Sequence, residues 1–153
     1  KLSAMMEYLT RQGKHVYKTS LNKLLFYSDL TYFYLTNHSM SGSVYFNRPY
    51  GPVATPADPT LSELIREEKI IVEPRMKTLI AGSGAEESDE ILSNDEKRLL
   101  DWVVETYGDM SAGAISDLSH REAAYKYTEP NEPIAYAHAK SLKHLPPKDL
   151  LNN

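Results

Sequence analysis

Apolar residues recur at helical spacing along most of the chain, and this pattern predicts its main elements. In residues 2–12 they fall three and four positions apart, and Gly13 follows as a helix end. A second helix is predicted from Thr19 or Ser20 to about Asn37. Because this helix is apolar on nearly all sides, we expect it to be central, with other elements around it.

Two further helices are predicted from the residues that open them. Asp58 and Pro59 begin a helix that ends near Glu68, since Asp is a good cap and Pro suits the first helical position. Ser93 and Glu96 form the pattern of a capping box, in which each side chain bonds the backbone N–H of the other. The apolar run after this box predicts the best-defined helix of the second half.

The remaining helical segments are shorter. Ser111 begins one helix, residues 122–127 are predicted to continue helically, and residues 134–142 form the last helix. Two prolines end that helix, and residues 146–153 are predicted to be a loose C-terminal tail. The chain shows no repeat, so residues 1–145 are predicted to form a single domain.

Alternating apolar and polar residues predict a small β element in the middle of the chain. Residues 43–48 are typical of a short strand, and Pro49–Pro52 of a stiff loop that ends it. Residues 70–72 and 78–80 are predicted to form a hairpin that pairs with this strand. Residues 82–90 carry an acidic run and are predicted to be a solvated, mobile loop. The predicted fold class is mainly α, a compact helical domain with a small inserted antiparallel sheet.

Composition narrows the possible functions. The 153 residues include no cysteine, which excludes disulfides, iron–sulfur ligation and thiol nucleophiles and makes the cytoplasm the simplest location. The net charge of −4 argues against a dedicated nucleic-acid binder. No apolar run approaches the ~20 residues that span a bilayer. No signal peptide is visible, although a chain that starts at Lys1 leaves a lost leader open.

Tyrosine is unusually frequent. The chain has 11 tyrosines and 3 phenylalanines. Tyrosine combines an apolar ring with a polar hydroxyl, so it suits half-buried positions and interfaces. The simpler interpretation is a core built with Tyr in place of Phe, and the alternative is a tyrosine-rich binding face.

No motif for a metal or a nucleophile stands out. The histidines at positions 15, 38, 120, 138 and 144 lack ligand spacing, so neither a metal nor a cofactor is expected. There is no serine-nucleophile elbow and no phosphate-binding loop. His120 with Asp117 or Glu122 could form an acid–base pair. The simpler interpretation is a histidine placed favourably near a helix C-terminus.

The two helices on either side of Gly108 have the proportions of a helix-turn-helix. In that case the second helix would contact DNA bases. Residues 111–119 contain no Arg, Lys, Asn or Gln to meet base edges, and Asp117 would repel phosphate. DNA binding is therefore the weaker hypothesis.

Asp29 lies in the middle of the predicted central helix. A carboxylate in such a place must be paired or must face a polar cavity. The simpler interpretation is a hydrogen-bonded Asp at one edge of the helix, because buried polar groups are normally satisfied.

Several segments, in a fixed order, carry a resemblance to a known family. In the first half they are Leu21–Asp29, the Ser41-Gly42 turn and Arg48-Pro49-Tyr50-Gly51-Pro52-Val53. In the second half they are a capped helix with Glu96, Leu100, Val103 and Tyr107, followed by Ser111-Ala112, Leu118-Ser119-His120 and Tyr125. In this order and spacing, from about residue 2 to 142, the chain resembles the Panacea domain, also called the SocA-like antitoxin domain, of type II toxin–antitoxin systems. It departs from the family at Ala124-Tyr125, where Pro-Trp is frequent.

The resemblance implies a non-enzymatic module that binds a cognate protein toxin and neutralises it by direct contact. No cofactor and no membrane contact are expected, and homo-oligomer formation stays open. Some members of the family carry an added DNA-binding segment, which this sequence does not show. Domains of this kind also occur on phages and other mobile elements. The matched positions suggest partner binding by Arg48, Tyr50, Gly51, Pro52, His120, Arg121 and Tyr125, and a structural polar core of Tyr27, Asp29 and Ser119.

Alternatives stay open at this point. Tyr50-Gly51-Pro52 could be a structural turn whose Tyr packs on the central helix, or a turn that presents Tyr50 to a partner. His120 could tie this loop to a buried group such as Asp29. The alternative functions are a small metal-independent hydrolase that uses His120 with a carboxylate, and a DNA-binding regulator. Neutralisation could block the toxin or deliver it to a protease.

Overall fold

The computed structural model describes residues 1–82 and 90–152. Its elements confirm a mainly α fold with a small antiparallel β part. None of the helices in these two ranges is long and apolar enough to cross a lipid bilayer. The α-helices are α1 (Leu2–Gln12), α2 (Lys18–Thr36), α3 (Ala57–Arg66), α4 (Asn94–Tyr107), α5 (Ala112–Arg121) and α6 (Ala123–Lys126), and a 3₁₀ helix follows at Tyr136–Ser141.

Helix α2 lies at the centre, as its all-round apolar surface predicts. It contacts α1, α4, α5 and the 3₁₀ helix. Leu25, Phe26 and Tyr27 are fully buried because they reach different neighbours on different sides of the helix. Each such side chain contributes roughly 1.5–3 kcal/mol by its burial. The helix ends at Asn37, which adopts a left-handed conformation with φ 62°.

The four short strands form two hairpins in separate sheets. The predicted pairing of residues 70–80 with the strand at 43–48 is therefore wrong. The reason is tertiary: the first hairpin packs on α2 and α5, whereas the second packs on α1 and α3. The first hairpin consists of β1 (Tyr45–Arg48) and β2 (Gly51–Ala54), and the second of β3 (Ile70–Val72) and β4 (Leu79–Ala81).

Only the first two residues of the predicted loop Pro49–Pro52 lie outside the strands. Pro49 and Tyr50 make the turn, and Gly51 and Pro52 already belong to β2. Pro52 pairs with Asn47 across the hairpin. A proline is tolerated there because the strand has no second partner on the side of the missing N–H.

Helix ends in the second half differ from the prediction in two places. The Ser93 hydroxyl accepts the Glu96 N–H at 3.1 Å, but the Glu96 carboxylate accepts Lys1 Nζ, at 2.6 Å for Oε2, so Glu96 serves the start of α1. Residues 122–127 do not continue α5, because Glu122 is extended, with ψ 143°, and α6 begins after it. These departures arise from contacts with segments that are distant in the sequence. A pattern of neighbouring residues carries no information about such contacts.

The last segments complete the packing. The predicted helix over 134–142 is a 3₁₀ helix with its one buried residue at Ala139. Residues 146–152 contact the core, since Pro146 is buried and Leu150 and Leu151 are half-buried. The predicted mobile loop at 82–90 lies, apart from its two ends, outside the described residues.

Candidate functional site

The first hairpin carries the most prominent exposed aromatic side chain of the predicted site. Strand β2 packs on α2 and α5, so the turn between β1 and β2 comes to lie beside the C-terminal part of α5. Tyr50, at the end of this turn, is 78% exposed. Its ring therefore does not pack on the central helix, which was one of the two interpretations of this turn.

Distant residues hold the backbone of this turn. Three contacts are made from α5 and α6: His120 Nε2 lies 3.0 Å from the Pro49 carbonyl oxygen, the Tyr125 hydroxyl donates to the Arg48 carbonyl at 2.7 Å, and the Ser116 hydroxyl donates to the Tyr50 carbonyl at 3.4 Å. The His120 and Tyr125 rings also pack edge to face, with centroids 4.5 Å apart. The backbone of the turn is thus fixed while the Tyr50 ring stays in solvent.

The outer edge of β1 is covered by the segment after α6. The Asn131 N–H donates to the Asn47 carbonyl at 2.7 Å, and the Ile134 N–H donates to the Tyr45 carbonyl at 2.7 Å. The Asn47 side chain is buried and donates to the Tyr125 and Thr128 carbonyls at 3.1 and 2.7 Å. The β1 edge of the hairpin is therefore bonded to this segment, while β2 packs on α2 and α5.

Asp29 anchors the segment that leads into β1. Its carboxylate is fully buried and accepts the Ser41 N–H at 2.8 Å, the Tyr45 hydroxyl at 2.6 Å and the Ser39 hydroxyl at 3.1 Å, and also the Ser41 hydroxyl. This confirms the hydrogen-bonded interpretation of Asp29. Burial, and then the neighbouring Asp29 charge, raise the pKa of Tyr45 well above its usual value, so Tyr45 stays a donor.

The predicted link between His120 and Asp29 is wrong. The donors from residues 39–45 surround the Asp29 carboxylate, and His120 Nδ1 instead lies 2.7 Å from the Ser116 carbonyl oxygen. His120 therefore contacts backbone carbonyls with both ring nitrogens. Its role in the structure is to join the turn of the first hairpin to α5.

Glu122 points into the core and away from an acid–base role with His120. Its Oε2 accepts the Tyr27 hydroxyl at 2.7 Å, and its Oε1 accepts the Lys143 N–H at 2.9 Å. Burial and the Glu122 charge raise the pKa of Tyr27. Tyr107 stacks on the Tyr27 ring at 4.1 Å between centroids. Sequence reasoning missed this role, because the Tyr27 partner lies 95 positions away.

Lys23 is a second residue that sequence reasoning missed. It lies on α2 beneath the first hairpin and is only 3% exposed. A Cβ placed on Gly51 would lie 2.9 Å from Lys23 Cε and 3.1 Å from Ser119 Oγ. Gly51 is therefore required twice, for this close approach and for its φ of +121°. Burial lowers the pKa of Lys23.

The expected site residues fall into an exposed group and a buried group. Arg48, Tyr50 and Arg121 are exposed, and His120 and Tyr125 are half-buried beside the turn. Gly51 and Pro52 are buried behind the turn, where they shape it. Of the expected polar core, Tyr27, Asp29 and Ser119 are all buried, and the Ser119 hydroxyl donates to the Ser116 carbonyl at 2.8 Å.

The grouping of His, Asp and Glu side chains shows whether the described residues could bind a metal ion. In residues 1–82 and 90–152, no three His, Asp or Glu side chains are grouped so that they could hold a metal ion. The polar groups beside the turn are donors and carbonyl acceptors that mostly satisfy one another. Such an arrangement suits a rigid surface for contact with another molecule.

Comparisons with known proteins agree with the motifs. A family model described as "Antitoxin SocA-like, Panacea domain" matches residues 21–126, which is more than half of the chain. The matched range begins in α2 and ends with α6, so it includes both hairpins and every expected partner-binding residue. Comparison with curated proteins found no match, and comparison with solved structures found none. The resemblance noted in the sequence is confirmed: the chain belongs to the SocA-like antitoxin family and carries its Panacea domain.

Proposed function

We propose that this protein is an antitoxin that binds a cognate protein toxin and neutralises it by direct contact through the first hairpin. The observation that carries the proposal is the family match over residues 21–126. The geometry of Tyr50 supports the choice of surface, since its ring is 78% exposed on a turn whose backbone is already held. An aromatic anchor on an ordered turn loses little conformational freedom when it binds.

The proposed contact surface has Tyr50 at its centre. Arg48 and Arg121 supply exposed positive charge, and His120 and Tyr125 support the turn from behind. Because Gly51 and Pro52 are buried, they contribute by shaping the turn. A standard interface buries roughly 1,200–2,000 Å² in total, so residues around this group must also take part. The positive charge favours a toxin surface with acidic residues.

The alternative functions receive less support. A hydrolase would need a carboxylate beside His120, but Glu122 bonds Tyr27 and both His120 nitrogens lie against backbone carbonyls. A DNA-binding regulator would need base-contacting side chains on α5, whose residues between Ala112 and Leu118 offer none. Binding of a protein toxin by direct contact requires neither a carboxylate beside His120 nor base-contacting side chains on α5.

The test is co-expression with the small proteins encoded beside this gene. The intact protein is expected to restore growth and to co-purify with one of them. Tyr50→Ala is expected to weaken the affinity roughly tenfold or more, with little change in the melting temperature, because the exposed ring makes few intramolecular contacts. Isothermal titration calorimetry and thermal unfolding measure the two quantities.

A matched control separates this effect from a general loss of aromatic surface. Tyr127→Ala removes an equally exposed tyrosine, at 79%, that lies after α6 and outside the turn. Its affinity for the toxin is expected to stay close to that of the unmodified protein. An unchanged affinity of Tyr50→Ala would remove the turn from the binding surface. A protein that rescues growth from none of the neighbouring gene products would overturn the proposed function.

A further inference from the structure

A basic segment near the end of the chain packs against the C-terminal part of α2. Residues 133–148 contain three lysines and two histidines but no Asp or Glu, although the whole chain has a net charge of −4. The three lysines, Lys140, Lys143 and Lys148, are exposed, and they form no ion pair with the residues that the structure describes. Positive charge is therefore concentrated in this segment and available for a partner.

Two open clefts lie where this segment meets α2, and both are lined by the half-buried Tyr34. The first cleft has a volume of about 230 Å³ and lies between α2 and the 3₁₀ helix, which contributes Ala137 and Lys140. The second has a volume of about 310 Å³ and is lined by Leu35 and Lys148 as well. Each cleft thus combines an apolar part with one lysine, and no carboxylate of the described residues lines either of them.

We infer that these two clefts form a second contact surface, which binds an acidic segment of the toxin that also carries apolar side chains. This inference rests on the proposed function, from which it takes the partner, and it adds a surface outside the first hairpin. Apolar side chains of the segment fill the clefts, and its carboxylates pair with Lys140 and Lys148. The argument is charge complementarity, since both clefts offer positive charge and no negative charge.

The chemistry of the clefts favours a peptide over a nucleic acid. A single strand binds by stacking its bases on exposed aromatic rings along a basic groove. Here Tyr34 is half-buried, and its neighbours Leu35 and Ala137 are aliphatic. Small apolar clefts with a few charged groups suit the side chains of a peptide segment.

The position of the clefts allows one toxin to reach both surfaces. Lys23 of α2 lies beneath Gly51 of the first hairpin, and Tyr34 follows 11 residues later in the same helix. At 1.5 Å per residue, the clefts lie about 16 Å along the helix from the support of the hairpin. A small domain is about 30 Å across, so it spans this distance. Two linked contacts also raise the affinity above that of either contact alone.

The first test reverses the charge of the clefts. The double variant Lys140→Glu, Lys148→Glu is expected to bind the toxin identified by co-expression roughly tenfold or more weakly, because two attractions become repulsions. The matched control is Lys14→Glu, Lys77→Glu, which makes the same change of charge at two exposed lysines outside the clefts. The control is expected to change the affinity by less than about threefold. Equal losses in the two double variants would indicate general electrostatic attraction and overturn the inference.

The second test fills the first cleft without a change of charge. Ala137 is exposed and lines this cleft, so the larger side chain of Ala137→Trp occupies the space. The affinity for the toxin is expected to fall roughly tenfold or more, with little change in the melting temperature. Ala135→Trp is the matched control, since Ala135 is also exposed but lines neither cleft. If Ala137→Trp leaves the affinity unchanged while Tyr50→Ala lowers it, the second surface is overturned and the proposed function stands.

A third arm needs no toxin. A heptapeptide of alternating Glu and Leu is added to the full protein, and the amide signals of Tyr34, Ala137 and Lys140 are followed by NMR. A heptapeptide of alternating Lys and Leu and a seven-nucleotide strand of deoxythymidine serve as comparisons. A saturable shift with the acidic peptide alone is expected, and its absence would overturn the inference.

The remaining outcomes distinguish the possible ligands. A stronger response to the oligonucleotide than to the acidic peptide would assign the clefts to nucleic acid and overturn the inference. Where no neighbouring gene product binds the protein, the proposed function fails. A shift with the acidic peptide would then support a peptide-binding surface but overturn the toxin as its source.

Discussion

The two hairpins are alike in topology but different in how they are held. Each is a two-stranded antiparallel sheet with a large exposed side chain at its turn, Tyr50 at 78% and Met76 at 64% exposure. The turn of the first is held by side chains of α5 and α6. The turn of the second is held by its own Glu73, whose carboxylate accepts the Arg75 and Met76 N–H groups at 2.9 and 2.6 Å.

The two hairpins also differ in how much of their outer surface is exposed. In the second hairpin Ile70 and Leu79 are buried against α1 and α3, while Ile71 and Ile80 remain more than 40% exposed on the outer face. The first hairpin is bonded along its β1 edge to the segment after α6, and its Gly51 rests on the buried Lys23. The comparison teaches that the first turn is held by side chains from distant helices, whereas the second turn is held by bonds among the consecutive residues 73–78.

The largest expected effect comes from the anchor of the first hairpin. Asp29→Asn replaces an acceptor of several donors by a group that offers an N–H₂ to some of them. The free energy of unfolding is expected to fall by roughly 3 kcal/mol, since bonds to a buried charged group are lost together. Urea denaturation measures this loss, and hydrogen exchange is expected to accelerate more in β1 than in β3.

The matched control for Asp29 is Asp101→Asn. The Asp101 carboxylate also accepts a tyrosine hydroxyl, that of Tyr8 at 2.7 Å, but Asp101 is exposed. Its substitution is expected to cost about 1 kcal/mol or less. Equal losses in the two variants, or equal exchange in both hairpins, would contradict the dependence of the first hairpin on Asp29.

A smaller effect is expected at the start of β2. Gly51→Ala places a Cβ 2.9 Å from Lys23 Cε at a φ of +121° and is expected to cost about 2 kcal/mol. Gly42→Ala is the control, since Gly42 also has a positive φ, +76°, but has no atom within 4 Å of the added Cβ. Thermal unfolding of both variants separates backbone strain from the contact with Lys23. A Gly42→Ala loss as large as that of Gly51→Ala would show that the contact is unimportant.

The smallest effect is a pH response confined to the second hairpin. The Met76 and Arg75 N–H groups lower the pKa of Glu73 below its usual 4.5. Because the pKa is lower in the folded state, the stabilisation is complete above pH 4.5 and is lost as the pH falls through the folded pKa. In an NMR titration the Met76 amide is expected to shift with a midpoint below 4.5, while the Tyr50 amide does not follow it. A common midpoint for both amides would contradict the independence of the two turns.

Much of the fold follows from short-range signals. Gly13 ends α1 and Ser93 begins α4 as predicted, because caps and helical spacing act within a few residues. The β2 strand was missed because its Gly and Pro are typical of loops, and only pairing with β1 makes them strand residues. The family motif could also be recognised from the sequence, since it consists of residue types in a fixed order.

The amino-acid sequence by itself determined the fold class, the central position of α2, the family and the segment that bears Tyr50. Only the tertiary structure decided that Asp29 bonds the segment before β1, that Glu122 bonds Tyr27, and that Lys23 packs directly behind Gly51. The physical reason is the distance along the sequence over which each interaction acts. Helix caps and apolar periodicity depend on neighbours along the chain, whereas the partner of a buried charge is chosen by packing between segments that lie far apart in the sequence.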